Sequence, residues 1–177
     1  MTRNELMRLM PANGDDVAAA TAVVELGYPA VAPVMRDMVR WMRVAESSVA
    51  DTFARFFAEV GAPAVNGIAE GLMRGNCWLR HRVFCQILPK WSPELIRQLT
   101  NVLTVIATQP DAYDNDLRSV AVLAKHRLAD HEWLKKWVAF KKERMATRNE
   151  LLTQVEEQLT VSNKSLERTT GSDERLF

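Results

Sequence analysis

Apolar side chains recur every three or four positions along most of this chain, which is the spacing of one face of an α-helix. The clearest stripe is formed by Val49, Phe53, Phe56, Phe57 and Val60. No segment shows the alternation of apolar and polar positions, bounded by turn residues, that is typical of a strand. The pattern therefore predicts an all-α protein.

One segment occurs twice, with a separation of 34 positions. Residues 25–40 read ELGYPAVAPVMRDMVR, and residues 59–74 read EVGAPAVNGIAEGLMR. In each copy a glycine suited to end one helix is followed by a proline suited to begin the next. A looser third unit surrounds Trp91, where Leu-Pro-Lys-Trp-Ser-Pro replaces the glycine turn. The duplication predicts stacked helical hairpins.

Helix boundaries follow from local signals. The first helix is expected over residues 2–10 and the second over 17–26, after the acidic pair Asp15 and Asp16. Ser48 and Asp51 resemble a capping box at the start of the next long helix. Pro33 is expected to lie in the first turn of its helix, where proline is tolerated.

The chain is predicted to have three parts. Residues 1–128 form the helical-repeat domain, and residues 129–161 form a long C-terminal helix with an apolar seam. This helix is expected to pack on the last repeat, because Trp133 and Trp137 need burial. Residues 162–177 are rich in Ser, Thr, Asn, Lys and Glu and are predicted to form a flexible tail.

Composition narrows the classes of function only slightly. Hydrophobic residues make up 47% of the 177 residues and charged residues 25%, which is ordinary for a globular protein. The net charge of +1 provides no global attraction to nucleic acid or to an anionic membrane. No apolar run is long enough to span a bilayer, and no secretory signal begins the chain. A cytoplasmic location is therefore expected.

The residues that could carry catalysis or bind a metal have simpler explanations. Cys77 and Cys85 lie about 12 Å apart along one predicted helix, beyond disulfide reach and without a CxxC spacing. His81 lies four residues from both, but no nucleophile elbow or phosphate loop accompanies this set. His126 and His131 lack a second pair of zinc ligands. We therefore expect no enzymatic activity, no cofactor and no metal.

Two charged segments have competing interpretations. Asp111, Asp114 and Asp116 lack the glycine and terminal glutamate of a calcium loop, which favours capping and turn formation, with an acidic binding patch as the alternative. Lysines and arginines are concentrated over residues 125–148. A solvated helix face explains them, and a dock for an acidic partner or nucleic acid is the alternative.

The Gly-x-Pro corners resemble those of HEAT-like helical repeats. The segments LGYPAVAPV, VADTFARFFAEVG and ILPKWSPELI, together with Trp41, are similar to a family of short bacterial helical-repeat domains of unknown function. The resemblance covers residues 4–127 and implies a short right-handed α-solenoid of HEAT-like hairpins with a long C-terminal helix. It transfers no catalytic residue, because the family has no established reaction. Similar small repeat domains occur among immunity proteins encoded beside bacterial toxins.

These observations lead to the hypothesis of a non-enzymatic protein-binding module, most concretely a bacterial immunity protein that binds and blocks a cognate toxin. The alternative is a helical-repeat protein that binds nucleic acid or acts as a scaffold; the near-neutral charge argues against nucleic acid, and no membrane partner is expected. The five tryptophans are expected to be mainly core or partly buried packing residues, but tryptophan is also a typical interface anchor, so one or two are candidates for partner contact. The candidate partner contacts are Trp41, Trp78, Arg80, Arg82, Trp91, Asp111, Asp114 and Asp116.

Overall fold

The computed structural model describes the backbone of residues 1–170 and the side chains of residues 1–158. Within these residues the secondary structure is entirely helical, as predicted. Ten α-helices follow one another: α1 (Arg3–Leu9), α2 (Val17–Glu25), α3 (Met35–Trp41), α4 (Ser48–Val60), α5 (Val65–Arg74), α6 (Cys77–Arg82), α7 (Pro93–Arg97), α8 (Thr100–Ala107), α9 (Asn115–Lys125) and α10 (His131–Thr170). The chain divides into two units at Asp130, one containing α1 to α9 and the other α10.

Side chains cap several of the helices in the first unit. Thr2 and Glu5 form a reciprocal capping box on α1, and the Asp16 carboxylate accepts a hydrogen bond from the Ala19 N–H at the start of α2. The N-cap of α4 is Ser47, whose hydroxyl accepts from the Ala50 N–H. The expected capping box of Ser48 and Asp51 is not formed; Ser47 caps the helix alone, because the residue at its N3 position is Ala50, which has no polar side chain.

The duplicated corners share a backbone conformation that only glycine adopts readily. Gly27 and Gly61 have φ angles of 66° and 69°. The helices that follow these corners begin at different positions. Helix α5 starts at Val65, which matches Val31, whereas α3 starts only at Met35. The residues between include a 3₁₀ turn (Ala32–Val34). Pro33 stands where the second copy has Gly67, the third residue of α5. It lies in the 3₁₀ turn before α3 and not in the first turn of an α-helix as predicted, and proline has no main-chain N–H to donate to a helical hydrogen bond.

The helices of the first unit have two sets of neighbours. In one set, α1 contacts the turn before α3, α3 contacts α5, and α5 contacts α8. In the other set, α2 contacts α4, α4 contacts the π-helical turn that continues α6 (Val83–Ile87), and α9 contacts α6. Contacts of α3 with α4 and of α5 with α6 join the two sets.

Polar contacts connect positions one duplication apart. Arg3 Nη2 lies 2.7 Å from Asp37 Oδ2, and Arg36 Nη2 lies 2.8 Å from Glu70 Oε2. Each pair is separated by 34 residues, the spacing read from the sequence. These exposed pairs are worth at most about 1 kcal/mol each. The core is apolar, and its largest fully buried side chains are Phe53, Phe57, Leu6, Met38, Met42, Ile68, Leu72, Leu79, Ile87, Leu99, Leu103 and Ile106.

The second unit contains one helix of 40 residues, α10. It continues to Thr170, nine residues beyond the predicted end at 161, and the rest of the predicted tail (171–177) lies outside the described residues. Within α10, Trp133, Trp137 and Phe140 have stacked rings, with centroids 6.1 and 5.2 Å apart. In the part of the chain that the structure describes, no helix is both long and apolar enough to cross a membrane.

Candidate functional site

An open groove lies beside the C-terminal end of α3. It has a volume of about 480 Å³ and contains Trp41. The apolar side chains around it come from α1, α3 and the segments that follow them: Met7, Met10, Pro11, Trp41 and Val44. Met7 and Val44 are 38% and 40% exposed, so this surface is accessible to another molecule. We call this set of residues, with Asp37 and Arg40, the Trp41 groove.

Residues 34 positions apart in the chain meet in the groove. Met7 precedes Trp41 by 34 residues, and Met10 precedes Val44 by the same number. The Arg3–Asp37 ion pair connects α1 to α3 at this spacing and holds the two segments side by side. The groove is therefore lined by side chains from α1, α3 and the segments that follow them, including two pairs of residues 34 positions apart. Met7 and Met10 were not predicted as site residues, although the duplication spacing alone would have placed them beside Trp41.

The edge of the Trp41 groove carries a small excess of positive charge. The Asp37 carboxylate accepts hydrogen bonds from Arg3 and Arg40, at 2.7 and 3.1 Å. Both arginine side chains remain more than half exposed, at 54% and 62%, whereas the Asp37 side chain is 12% exposed. Two guanidinium groups thus surround one carboxylate at the edge of an apolar depression. Such a surface suits an apolar side chain with an acidic neighbour.

Trp78 belongs to a second, aromatic cluster with Tyr113 and His81. The Tyr113 ring lies 4.5 Å from the Trp78 ring and 5.1 Å from the His81 ring, measured between centroids. Desolvation raises the pKa of the Tyr113 hydroxyl, and the nearby Cys77 and Glu46 side chains add to the shift. Desolvation lowers the pKa of His81, helped by Arg118 and Arg82 and opposed by Asp111.

One loop connects the Trp41 groove to the aromatic cluster. Residues 42–47 follow Trp41, and the Arg43 carbonyl in this loop accepts a hydrogen bond from Asn76, two residues before Trp78. Glu46 in the same loop is close enough to Tyr113 to influence its pKa. The loop 42–47 therefore has contacts at both the Trp41 groove and the aromatic cluster.

Two of the predicted contacts are buried instead. Arg82 is 5% exposed and donates to the carbonyls of Met42 and Val44, at 3.1 and 2.6 Å, and to the Asp51 carboxylate at 2.9 Å. Trp91 is 6% exposed, and its indole Nε1–H donates to the Phe57 carbonyl at 3.1 Å. Both side chains connect helices inside the unit and do not face a partner.

The acidic turn and Arg80 mainly organise the chain before α9. The Asp111 carboxylate accepts hydrogen bonds from the main-chain N–H groups of Tyr113 and Asn115, at 3.0 and 3.2 Å. Arg80 donates to the Leu72 carbonyl at 3.1 Å and lies 3.8 Å from Asp111. Asp116 is buried at 4% exposure, which leaves Asp114 as the exposed acid of the three. The predicted role in turn formation holds for Asp111.

His81 and Cys85 lie side by side, four residues apart in the chain. Both ring nitrogens of His81 lie 3.8 Å from Cys85 Sγ, and neither Cys85 nor Cys77 forms a disulfide. Among the described residues, no three His, Cys, Asp or Glu side chains are grouped closely enough to hold a metal ion.

Comparison with known proteins found no relative of this chain. No family model matches the sequence, and neither a curated protein nor a solved structure matches it at a significant level. The resemblance to HEAT-like repeats therefore stays a prediction from the duplicated corners.

Proposed function

We propose that the first unit is a short right-handed α-solenoid of HEAT-like hairpins and that it acts as a non-enzymatic protein-binding module. Two features support the solenoid. The helices have two sets of neighbours, and ion pairs join residues 34 positions apart in one of those sets. Stacked hairpins of this kind provide an extended surface for binding without special residue chemistry.

The observation that carries the binding proposal is the Trp41 groove. Its volume of about 480 Å³ leaves room for one or two side chains of a partner. Its lining is apolar and partly exposed, and it contains a tryptophan, the residue type most often found at interface hot spots. Trp78 and Asp114 extend the proposed surface beyond the loop 42–47.

The proposed partner is a protein domain with an apolar side chain next to a carboxylate. The apolar side chain would occupy the groove, and the carboxylate would meet the guanidinium groups of Arg3 and Arg40. In the most concrete form of the proposal, the chain is a bacterial immunity protein and the partner is a cognate toxin domain. The toxin would be neutralised by covering its active site.

The test begins with the product of the neighbouring gene. That product is expressed alone, with this chain, and with a Met7→Asp variant that places a negative charge in the groove. We expect growth arrest from the product alone, and rescue together with co-purification by the wild-type chain. Met7→Asp is expected to abolish both effects, and Thr21→Asp, on the exposed surface of α2, is expected to retain them. A harmless neighbour, or one that does not bind, would refute the immunity proposal.

The alternative of nucleic-acid binding is favoured by one observation. Lys135, Lys136, Lys142, Arg144 and Arg148 are all exposed on α10. If these side chains bind phosphates, affinity for a DNA or RNA duplex should fall steeply as salt increases. A fluorescence anisotropy titration at several salt concentrations decides the matter, since a duplex affinity that is weak or lacks a steep salt dependence would leave only the protein-binding proposal.

A further inference from the structure

Helix α10 presents an exposed apolar stripe with a heptad spacing. Met145 and Leu152 are seven residues apart, and so are Arg148 and Val155, which follow them by three residues. Met145 and Leu152 occupy a positions of a heptad, and Arg148 and Val155 occupy d positions. This is the pattern of a coiled-coil seam. Leu151 flanks it at a g position. We call these five residues the α10 seam.

The α10 seam is exposed in the single chain. Met145, Leu151, Leu152 and Val155 are 54%, 56%, 54% and 55% exposed, which is high for large apolar side chains placed on one face. The preceding d position, Lys141, is 8% exposed, so the accessible part of the seam begins after it. Four exposed apolar residues in succession are typical of a surface that pairs with another helix.

The same face of α10 is not flat. A shallow depression of about 380 Å³ is bounded by Leu151, Gln154, Val155 and Gln158. These residues occupy positions i, i+3, i+4 and i+7 of the helix. Leu151 and Val155 belong to the α10 seam, whereas Gln154 and Gln158 occupy c and g positions, so the depression borders the seam.

The distribution of charge along α10 indicates which helix fits. Residues 131–148 contain six lysines and arginines and two glutamates, whereas residues 149–158 contain three glutamates and no lysine or arginine. Two copies running in the same direction would bring the basic segments together and place Arg148 beside its own copy. Two copies running in opposite directions about residue 150 bring Lys142 and Arg144 of one copy next to Glu156 of the other.

We infer that α10 is a dimerisation helix, which pairs through the α10 seam with α10 of a second copy in antiparallel orientation. In this arrangement Met145 of one copy lies near Val155 of the other, and Leu151 lies close to the twofold axis. Arg148 can rest its aliphatic stem on Leu152 of the other copy while its guanidinium reaches solvent. The inference concerns a surface separate from the Trp41 groove and does not depend on the proposed function.

The first test measures the mass of the full chain by sedimentation equilibrium. We expect twice the monomer mass at low salt, with dissociation favoured at high salt because the charge complementarity is screened. Leu152→Asp places a charge in the seam and should raise the dimer Kd at least about tenfold. The matched control, Ala146→Asp, adds the same charge at an exposed b position and should leave the dimer intact. Circular dichroism verifies that both variants are folded.

The second test determines the orientation with spin labels and double electron–electron resonance. Labels are attached in separate proteins at Lys136→Cys and Glu150→Cys, with Cys77 and Cys85 replaced by serine. An antiparallel pair centred near residue 150 gives a separation of roughly 20 Å at position 150 and roughly 40 Å or more at position 136, from the helix diameter and the 1.5 Å rise per residue. A parallel pair gives the same short separation at both positions.

Several outcomes would overturn the inference. They are a chain that remains monomeric over the micromolar range, equal label separations at the two positions, and a Leu152→Asp variant that dimerises as well as the Ala146→Asp control.

Discussion

Replacing Arg82 by methionine tests the claim that this arginine connects helices rather than binding a partner. Methionine keeps most of the aliphatic stem but removes every hydrogen-bond donor. The guanidinium donates to the carbonyls of Met42 and Val44 at 3.1 and 2.6 Å and to Asp51 at 2.9 Å. Because the Arg82 side chain is only 6% exposed, water cannot readily replace these donors.

The size of the expected effect follows from these three contacts. Hydrogen bonds from a charged donor contribute about 1.5–3 kcal/mol each, and an acceptor left buried without a partner costs about 1–3 kcal/mol. The Asp51 side chain is 48% exposed, so its ion pair is screened and is worth at most about 1 kcal/mol. We therefore expect Arg82→Met to lower the free energy of unfolding by about 3–4 kcal/mol, mainly through the two carbonyls.

The assay is urea unfolding followed by far-ultraviolet circular dichroism, with linear extrapolation to water. Asp51→Asn is the matched control, since it removes the charge at the other end of the ion pair and should cost no more than about 1 kcal/mol. If Arg82→Met unfolds within about 1 kcal/mol of the wild type, or if Asp51→Asn is equally damaging, the reasoning about the carbonyls is wrong.

Three further predictions concern individual side chains of the first unit. Gly61→Ala should lower the unfolding free energy by about 1–2 kcal/mol because of its φ of 69°, whereas Gly67→Ala, inside α5 with only an ordinary van der Waals contact at 3.8 Å, should be neutral or stabilising. Trp91→Phe should cost about 1–3 kcal/mol by leaving a main-chain carbonyl of α4 without its indole donor, also measured by urea unfolding. His81 should titrate below 6.5 in an NMR pH series, and Arg118→Ala should move its midpoint upward.

The His81 shift also sets a direction for stability. Since the folded state resists protonation, the unfolded state binds this proton first as the pH falls below 6.5. The contribution of His81 to folding is therefore complete above that pH and is lost progressively in more acidic solution. A His81 titration midpoint at or above 6.5 would contradict the assigned desolvation. Equal losses of unfolding free energy in Gly61→Ala and Gly67→Ala would contradict the corner geometry.

The fold class and the corners could be predicted because their signals are local. Gly27 and Gly61 indicate corners with a positive φ, which both residues have. The apolar stripe through Phe53 and Phe57 predicts a buried helix face, and both side chains are buried. The later start of α3 relative to α5 could not be predicted from the duplication alone. Pro33 and Gly67 occupy equivalent positions, but proline lacks the main-chain N–H that glycine keeps. The predicted helix that contains Cys77 and Cys85 ends in a π-helical turn at residues 83–87. Helix propensities of the residues do not indicate such a turn.

The candidate site was harder to predict, because burial depends on the whole fold. Arg82 and Trp91 have the residue types of interface anchors, yet their hydrogen bonds go to carbonyls about 30–40 positions away along the chain. Trp41 has the same residue type and lies in an open groove. Sequence alone cannot separate these cases, although the 34-residue spacing points to Met7 as a neighbour of Trp41.

The most direct test of the binding proposal is the affinity of the purified partner for variants of the Trp41 groove. Isothermal titration calorimetry would compare the wild-type chain with Trp41→Ala, Met7→Asp and the control Leu26→Ala, which truncates an exposed leucine that does not line the groove. Both groove variants are expected to raise the Kd at least about tenfold, as at an interface hot spot, and the control is expected to leave it unchanged. Unchanged affinity in both groove variants, with the chain folded, would contradict the central claim.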